Sequence, residues 1–174
     1  RQCFIQTVRI MAPQRPSPGP GQESVWDYPR PPRLEPVDAP IRVEFNGTTL
    51  AATEHALRIL ETSHPPTYYI PPDDVRTEHL IASSRTTLCE WKGRALYYAV
   101  EVDDRRVDHA AWSYPSPNER YAELKDHFAF YASKMDACYV GDEEAHAQEG
   151  DFYGGWITNN IVGPFKGSPG TIGW

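Results

Sequence analysis

The chain of 174 residues is long enough for one domain with a hydrophobic core, and its 40% hydrophobic and 24% charged residues are ordinary values for a globular protein. A net charge of −7 argues against a general electrostatic interaction with nucleic acid or with an anionic membrane. Since no run of about eighteen apolar residues occurs, we expect no membrane-spanning helix, no membrane partner and a cytoplasmic location.

The N-terminal part is rich in proline. Residues 1–22, which include PQRPSPGPGQ, are expected to form a flexible leader. Residues 23–40 also contain many prolines, but Trp26 and Tyr28 need burial. We therefore expect residues 23–174 to form a single domain, with 23–40 lying on it as an extended arm.

The segment after residue 40 predicts an antiparallel hairpin. In IRVEF (41–45), apolar and polar residues alternate as they do in a strand with one buried face. Asn46-Gly47 is a strong signal for a two-residue turn, and TTLAAT (48–53) would be the return strand.

Helical elements and one strand are expected next. TEHALRILET (53–62) would place its apolar residues on one face of a helix. A short strand is expected at Tyr68–Ile70. One helical turn would begin at Pro72, with Asp73 and Asp74 at its positive end.

The middle of the chain predicts further strands with tight turns. RTTLCEW (85–91) and RALYYAVEV (94–102) flank a turn at Lys92-Gly93, and VDHAAWSY (107–114) returns. A short helix is expected within 115–127, followed by strands at FAFYA, MDACYV and AHAQ. Strands at intervals of roughly ten residues indicate a mainly β, β-rich α+β fold with antiparallel sheets and two or three short helices.

The C-terminal GPFKGSPGTIGW (163–174) contains glycine, lysine and serine, as phosphate-binding loops do. In a Walker loop the lysine follows the second glycine and a helix follows the loop. Here Lys166 precedes Gly167, and Pro169 follows. We expect residues 152–174 to be a second extended arm that closes over the sheet. Three aromatic residues would pack there: Trp156, Phe165 and Trp174.

The sequence has no metal or cofactor signature. Its six histidines form no H-x-x-x-H or H-x-H, its three cysteines form no C-x-x-C, and no D-x-D follows a Gly-Ser turn. We therefore expect no metal and no cofactor. Cys89 and Cys138 are expected to be reduced thiols, although a disulfide between them stays open as an alternative.

Aromatic residues with a few polar neighbours form the strongest candidate site. Such rings on strands can line a concave site for a flat or anionic ligand, although some of them would simply fill the core. Lys92 lies near Cys89 in T-L-C-E-W-K-G, and a nearby cation raises the thiolate fraction of a cysteine. No partner base for that thiol is visible. The residues expected to bind a ligand are Cys89, Trp91, Lys92, Trp112, Tyr114, Tyr69, Arg85 and Tyr131.

Four motifs resemble the family catalogued as domain of unknown function 427: YYIPPDDV, T-x-C-E-W-K-G-x-A-x-Y-Y, AAWSYPSP and AFY. The flanks ESVWDYPRP, FYGGWIT and GPFKG resemble the longer members. The resemblance implies a small protein with antiparallel strands in a compact barrel-like or tent-like arrangement, and a nucleotidyltransferase-like label. It supplies no catalytic residues. Many members have C-P-[YF]-K-G where this chain has Cys89-Glu90-Trp91-Lys92-Gly93.

Three functions remain open. The main hypothesis is an uncharacterised domain that binds a small molecule in an aromatic-lined pocket, with Lys92 and Arg85 as polar anchors. The first alternative is a nucleotide-processing, nucleotidyltransferase-like enzyme, which would need carboxylates or a metal close to Lys92. The second is a non-enzymatic structural protein that forms a homodimer through its arms.

Overall fold

The computed structural model describes residues 13–150 and 152–174, so the first twelve residues of the expected leader lie outside the described part. Strands dominate the described residues. They are β1 (Glu23–Ser24), β2 (Arg33–Pro36), β3 (Ile41–Phe45), β4 (Thr48–Thr53), β5 (Leu57–Leu60), β6 (Thr67–Tyr69), β7 (Leu80–Cys89), β8 (Gly93–Val102), β9 (Arg105–Ser113), β10 (Phe128–Phe130), β11 (Ala137–Val140), β12 (Glu143–Glu144), β13 (His146–Ala147), β14 (Trp156–Ile157) and β15 (Ile161–Val162).

The strands form several small sheets, nearly all antiparallel. One sheet has the order β10-β9-β8-β7 and is called the central sheet here; the second has the order β12-β11-β3-β4 and the third β2-β5-β6. Two further pairs are β13-β14 and the parallel pair β1-β15. The mainly β prediction is confirmed. The barrel-like arrangement is not a closed barrel: in residues 13–150 and 152–174 the two outer strands of the central sheet, β7 and β10, do not pair with each other.

The prediction of two or three short helices is wrong. In the described residues the helical segments are 3-10 turns at Val25–Asp27, Pro72–Asp74, Thr77–His79, Glu119–Leu124 and Ala132–Lys134. Only Glu119–Leu124, in the region where a helix was expected, is longer than a single turn. The turn predicted to begin at Pro72 is confirmed. No helix in this part of the chain is both long and apolar enough to cross a membrane.

The segment TEHALRILET contains strand β5 instead of the predicted helix. β5 pairs with β2 on one side and with β6 on the other. The backbone N–H and C=O groups on both sides of β5 thereby form hydrogen bonds with neighbouring strands. This pairing outweighs a helical pattern that spans only ten residues. The hairpin β3–β4 is confirmed, and Asn46 (φ 49°) and Gly47 (φ 75°) adopt the left-handed conformation that its turn requires.

The central sheet is buried on both faces because alternate strand residues point to opposite sides. On β8, Tyr98, Val100 and Val102 face a group of apolar side chains that we call the main core. The sheet that contains β3 and β4 supplies further members of the main core: Ile41, Val43, Phe45, Leu50 and Ala51. Ala95 and Tyr97 face the other way, toward a second cluster that includes residues of β5 and β6.

The two ends of the described chain contact each other. Strand β1 pairs with β15, and Trp26 Nε1 donates a hydrogen bond to the carbonyl oxygen of Pro164 (3.0 Å). The rings of Trp26 and Trp174 meet edge to face, with centroids 5.4 Å apart. Arg58 of β5 pairs with Glu23 and Glu35, which fixes the segment before β3 against the third sheet.

Candidate functional site

A cavity of about 400 Å³, which we call the ring cavity, lies on the side of the central sheet that faces away from the main core. Its rings stand at alternating positions of adjacent strands, so they project to the same side. Tyr97 of β8 lies opposite Trp112 of β9, and Trp112 lies opposite Ala129 of β10. The ring centroids of Trp112 and Tyr131 are 4.6 Å apart, and those of Tyr69 and Trp112 are 6.4 Å apart.

Seven of the eight residues predicted to bind a ligand line the ring cavity. They are Cys89, Trp91, Lys92, Trp112, Tyr114, Tyr69 and Tyr131. The eighth residue, Arg85, does not line it. Its guanidinium lies 4.7 Å from the ring centroid of Tyr97, and Tyr97 is itself a lining residue. The prediction thus selected residues that the fold brings together, while ligand binding by them stays a prediction.

Lys92 enters the cavity from the turn between β7 and β8. Asn118 holds this turn in place, since its Nδ2 donates to the carbonyl oxygen of Trp91 (2.7 Å) and its backbone N–H donates to that of Lys92 (3.0 Å). Gly93 has a φ of 105°, a conformation that few other residues adopt, and it lets the chain re-enter β8 directly. The Nζ of Lys92 lies 5.6 Å from the ring centroid of Tyr114.

The charge of Lys92 has no counter-ion within ion-pair distance in the described part of the chain. Burial opposes this charge, while Tyr69, Cys89 and the more distant Glu61 favour it, and the net effect raises the pKa of the Lys92 ammonium. Lys92 is therefore cationic at neutral pH. A half-buried cation without a paired carboxylate is a candidate anchor for an acidic ligand.

Tyr69 supplies a second polar group to the same space. Its side chain is fully buried, and among residues 13–150 and 152–174 no neighbour meets its hydroxyl with full hydrogen-bond geometry, although the Lys92 ammonium and the Trp112 indole lie close to it. Burial raises the pKa of this hydroxyl, so it stays protonated at neutral pH and can donate. Buried polar groups are nearly always satisfied in folded proteins, so an unsatisfied one that lines a cavity indicates a ligand contact.

His64 and Gln148 form a polar pair on another part of the wall. Gln148 Nε2 donates to His64 Nδ1 (3.1 Å), which assigns the ring proton of His64 to Nε2. Burial, followed by the positive charges of Lys166, Arg30 and Lys92, lowers the pKa of His64 to about 3. His64 is therefore neutral at physiological pH. Its Nε2 lies 4.0 Å from the nearest oxygen of Glu61.

The segment after β13 closes one side of the cavity. Tyr131 donates its hydroxyl hydrogen to the carbonyl oxygen of Phe152 (2.9 Å), and the ring of Tyr153 meets that of His64 with centroids 4.6 Å apart. Gly154 passes so close to Trp112 that a Cβ at this position would lie 2.2 Å from the Cη2 atom of the indole. Glycine is thus required where the backbone crosses the ring.

Several wall residues were not singled out from the sequence: His64, Gln148, Tyr153 and Gly154. His64 is one of six scattered histidines, and the short strand that precedes Gln148 has no pattern that points to a site. Lys166 lies in GPFKGSPG, where the order of glycine and lysine does not fit a phosphate-binding loop and no other local pattern indicates a site. A glycine pair, Gly154-Gly155, was the one local signal of a close backbone approach.

The two described thiols lie in different environments. Cys89 is half-buried and lines the ring cavity, whereas Cys138 is buried in the main core, which raises its pKa. Both are free, so the disulfide alternative is not formed. Among residues 13–150 and 152–174, no group of three histidine, cysteine or acidic side chains is arranged to hold a metal ion.

Fold and site together define a mainly β protein with antiparallel sheets and an aromatic cavity, in which Lys92 has no carboxylate within ion-pair distance among the described residues. The family model described as domain of unknown function (DUF427), which has a nucleotidyltransferase label, matches residues 33–141. Because this is more than half of the chain, the protein belongs to the DUF427 family. All eight predicted site residues lie within the match, whereas Gln148, Tyr153 and Lys166 lie beyond it. A comparison with curated proteins finds no match.

Proposed function

We propose that this protein binds a small, flat molecule in the ring cavity. The observation that carries the proposal is the space itself. Rings that only fill a core pack against each other, whereas here eight of them line about 400 Å³, within the range of about 300–1,000 Å³ that small-molecule sites occupy. The eight rings are those of Tyr69, Trp91, Tyr97, Trp112, Tyr114, Tyr131, Phe152 and Tyr153.

The polar groups in the wall support the same function. Ligand sites combine apolar and aromatic walls with a few polar groups that fix orientation. Lys92 and the Tyr69 hydroxyl supply such groups here; they interact with each other, and Lys92 has no carboxylate within ion-pair distance in the described chain. Arg85, beside Tyr97, is placed to contact a ligand only where it extends beyond the cavity.

The geometry favours binding over nucleotide processing. A nucleotidyltransferase-like site would need carboxylates that converge with Lys92 on a metal. Of the acidic residues in the wall, Glu61 pairs with Arg30 (3.3 Å) and Glu90 is exposed to solvent. The geometry also favours binding over dimerisation through the arms, because Trp26 and Trp174 pack against each other within one chain instead of forming an interface with a second copy.

The proposal is tested with two planar probes of equal size, 2-naphthoate and 2-naphthamide. We expect at least one of them to quench tryptophan fluorescence saturably and to raise the melting temperature, because a ligand that binds only the folded state stabilises it. Trp112→Leu should abolish this binding, since it removes the ring that contacts both Tyr69 and Tyr131.

Trp26→Leu is the matched control, because Trp26 does not line the cavity. It should bind both probes as the wild-type protein does. Absence of saturable binding of either probe to the folded wild-type protein would overturn the proposal. Equal losses in Trp112→Leu and Trp26→Leu would show that the probes bind elsewhere.

A further inference from the structure

We propose that the ligand of the ring cavity carries a single carboxylate, which Lys92 and Tyr69 bind together. This inference rests on the proposed function and names the chemical class of the ligand.

The first argument is the unbalanced charge. The wall contains the acidic residues Glu61 and Glu90, yet neither is within ion-pair distance of Lys92. The ammonium instead lies among rings, 5.6 Å from the centroid of Tyr114. A cation in such surroundings loses hydration and gains only weak ring contacts, so a bound anion would supply the missing partner.

The second argument is independent of charge. The Tyr69 hydroxyl is fully buried beside the Lys92 ammonium, and its own hydrogen has no acceptor in hydrogen-bond geometry within the described chain. The Lys92 ammonium and the Tyr69 hydroxyl are neighbours that line the same space, and each can donate a hydrogen bond to a ligand there. A carboxylate has two oxygens and only accepts, so one oxygen can take the N–H of Lys92 and the other the O–H of Tyr69.

The charges of the wall favour a monoanion. Its second lysine, Lys166, donates to the backbone oxygen of Trp174 (3.1 Å), while Arg85 lies over Tyr97 and outside the cavity lining. Two carboxylates, Glu61 and Glu90, also line the wall and would repel a further negative charge, so a carboxylate suits the cavity better than a phosphate dianion.

The experiment compares three probes with the same ring system: 2-naphthoate, 2-naphthamide and 2-naphthyl phosphate. At pH 7 the wild-type protein should bind 2-naphthoate roughly tenfold more tightly than 2-naphthamide, because only the former is charged. Lys92→Met should remove this preference and leave the affinity for 2-naphthamide within about twofold, since Met keeps the length and apolar stem of the side chain. Tyr69→Phe should weaken the binding of 2-naphthoate severalfold and the binding of 2-naphthamide less.

Two variants keep the test decisive. Lys125→Met removes an exposed lysine outside the cavity and should bind all probes as wild type does. If Lys92→Met fails to fold, Lys92→Arg retains the charge and should keep the preference for 2-naphthoate, while Tyr69→Phe still reports on the second donor.

Each outcome distinguishes the two proposals. Equal wild-type affinities for 2-naphthoate and 2-naphthamide would overturn the carboxylate inference while the binding function stands. Tighter binding of 2-naphthyl phosphate than of 2-naphthoate would replace the carboxylate by a phosphate. Failure of every probe would remove the function on which the inference rests.

Discussion

His64 shows how one buried side chain connects the site to stability. Its ring is enclosed by Gln148 and Tyr153, and only 8% of the residue is exposed. Burial and three nearby cations lower its pKa to about 3 from an ordinary value near 6.5. The folded protein therefore keeps His64 neutral down to acidic pH, whereas the unfolded chain protonates it below about pH 6.5.

This difference predicts a pH dependence of unfolding. Because the unfolded state binds the extra proton, the His64 contribution is complete above about pH 6.5 and declines as the pH falls toward 3, by up to about 1.4 kcal/mol per pH unit. Between pH 6.5 and 5, His64→Gln should lose about 2 kcal/mol less than the wild-type protein in urea unfolding. His55→Gln, which changes an exposed histidine, should follow the wild type. Parallel curves for wild type and both variants would contradict the assigned state of His64.

The sequence predicted most aromatic residues of the cavity wall but missed several of its polar residues, such as His64. Tyr69, Trp112 and Tyr131 could be predicted as site residues because they lie in, or directly after, short aromatic-rich strands, whose neighbouring rings come together in a sheet. His64 lies in a loop, and its partners Gln148 and Tyr153 are more than eighty residues away in the chain. No local pattern encodes that contact, so the polar part of the wall was missed.

At the scale of elements, β5 depends on partners outside its own segment. Arg58, in the middle of β5, places Nη1 2.6 Å from Glu23 and Nη2 2.6 Å from Glu35. Glu35 belongs to β2, the strand that pairs with β5, and Glu23 belongs to β1. The apolar residues of TEHALRILET fit a helix as well as a strand, and only these distant partners decide between the two. This is why the helix prediction was wrong although the hydrophobic pattern was read correctly.

Replacement of Arg58 should therefore loosen the third sheet. Arg58→Met leaves Glu23 with only its hydrogen bond from Tyr28 and Glu35 with only Arg33, in a site where the arginine side chain is just 18% exposed. We expect a loss of about 2 kcal/mol in the free energy of unfolding. Arg106→Met is the matched control, because Arg106 also pairs with two carboxylates but is 49% exposed. It should cost less than about 1 kcal/mol. Similar losses in denaturant unfolding would show that burial of the Arg58 network does not matter.

At the scale of the whole molecule, the two faces of the central sheet have different surroundings. One face packs on the sheet that contains β3 and β4 and forms the main core, while the other carries the rings of the cavity. Alternation along β8 predicted that both faces would carry apolar residues. It could not show which face would be filled by another sheet and which would enclose a space, because that depends on how the sheets pack.

Mutations on the two faces should accordingly affect different properties. Ile41→Val removes one methyl group from the main core and should lower the free energy of unfolding by about 1 kcal/mol without changing the Kd for 2-naphthoate. Trp112→Phe reduces ring contact in the cavity and should weaken 2-naphthoate binding roughly tenfold. Denaturant unfolding and fluorescence titration of both variants measure the two effects. If Ile41→Val weakens binding as much as Trp112→Phe does, the faces are not independent.

The close approach of Gly154 to Trp112 has a consequence for relatives of this protein. The family match ends at residue 141, yet Gly154 covers a ring of the site and Trp156 is fully buried in the main core, where its Nε1 donates to the carbonyl oxygen of Phe130 (3.0 Å). Homologues that share only the matched stretch must cover that indole with a different segment or leave it open to water. If the ring cavity binds a ligand as proposed, homologues without this segment should accept longer ligands, because the indole side of their cavity would be more open.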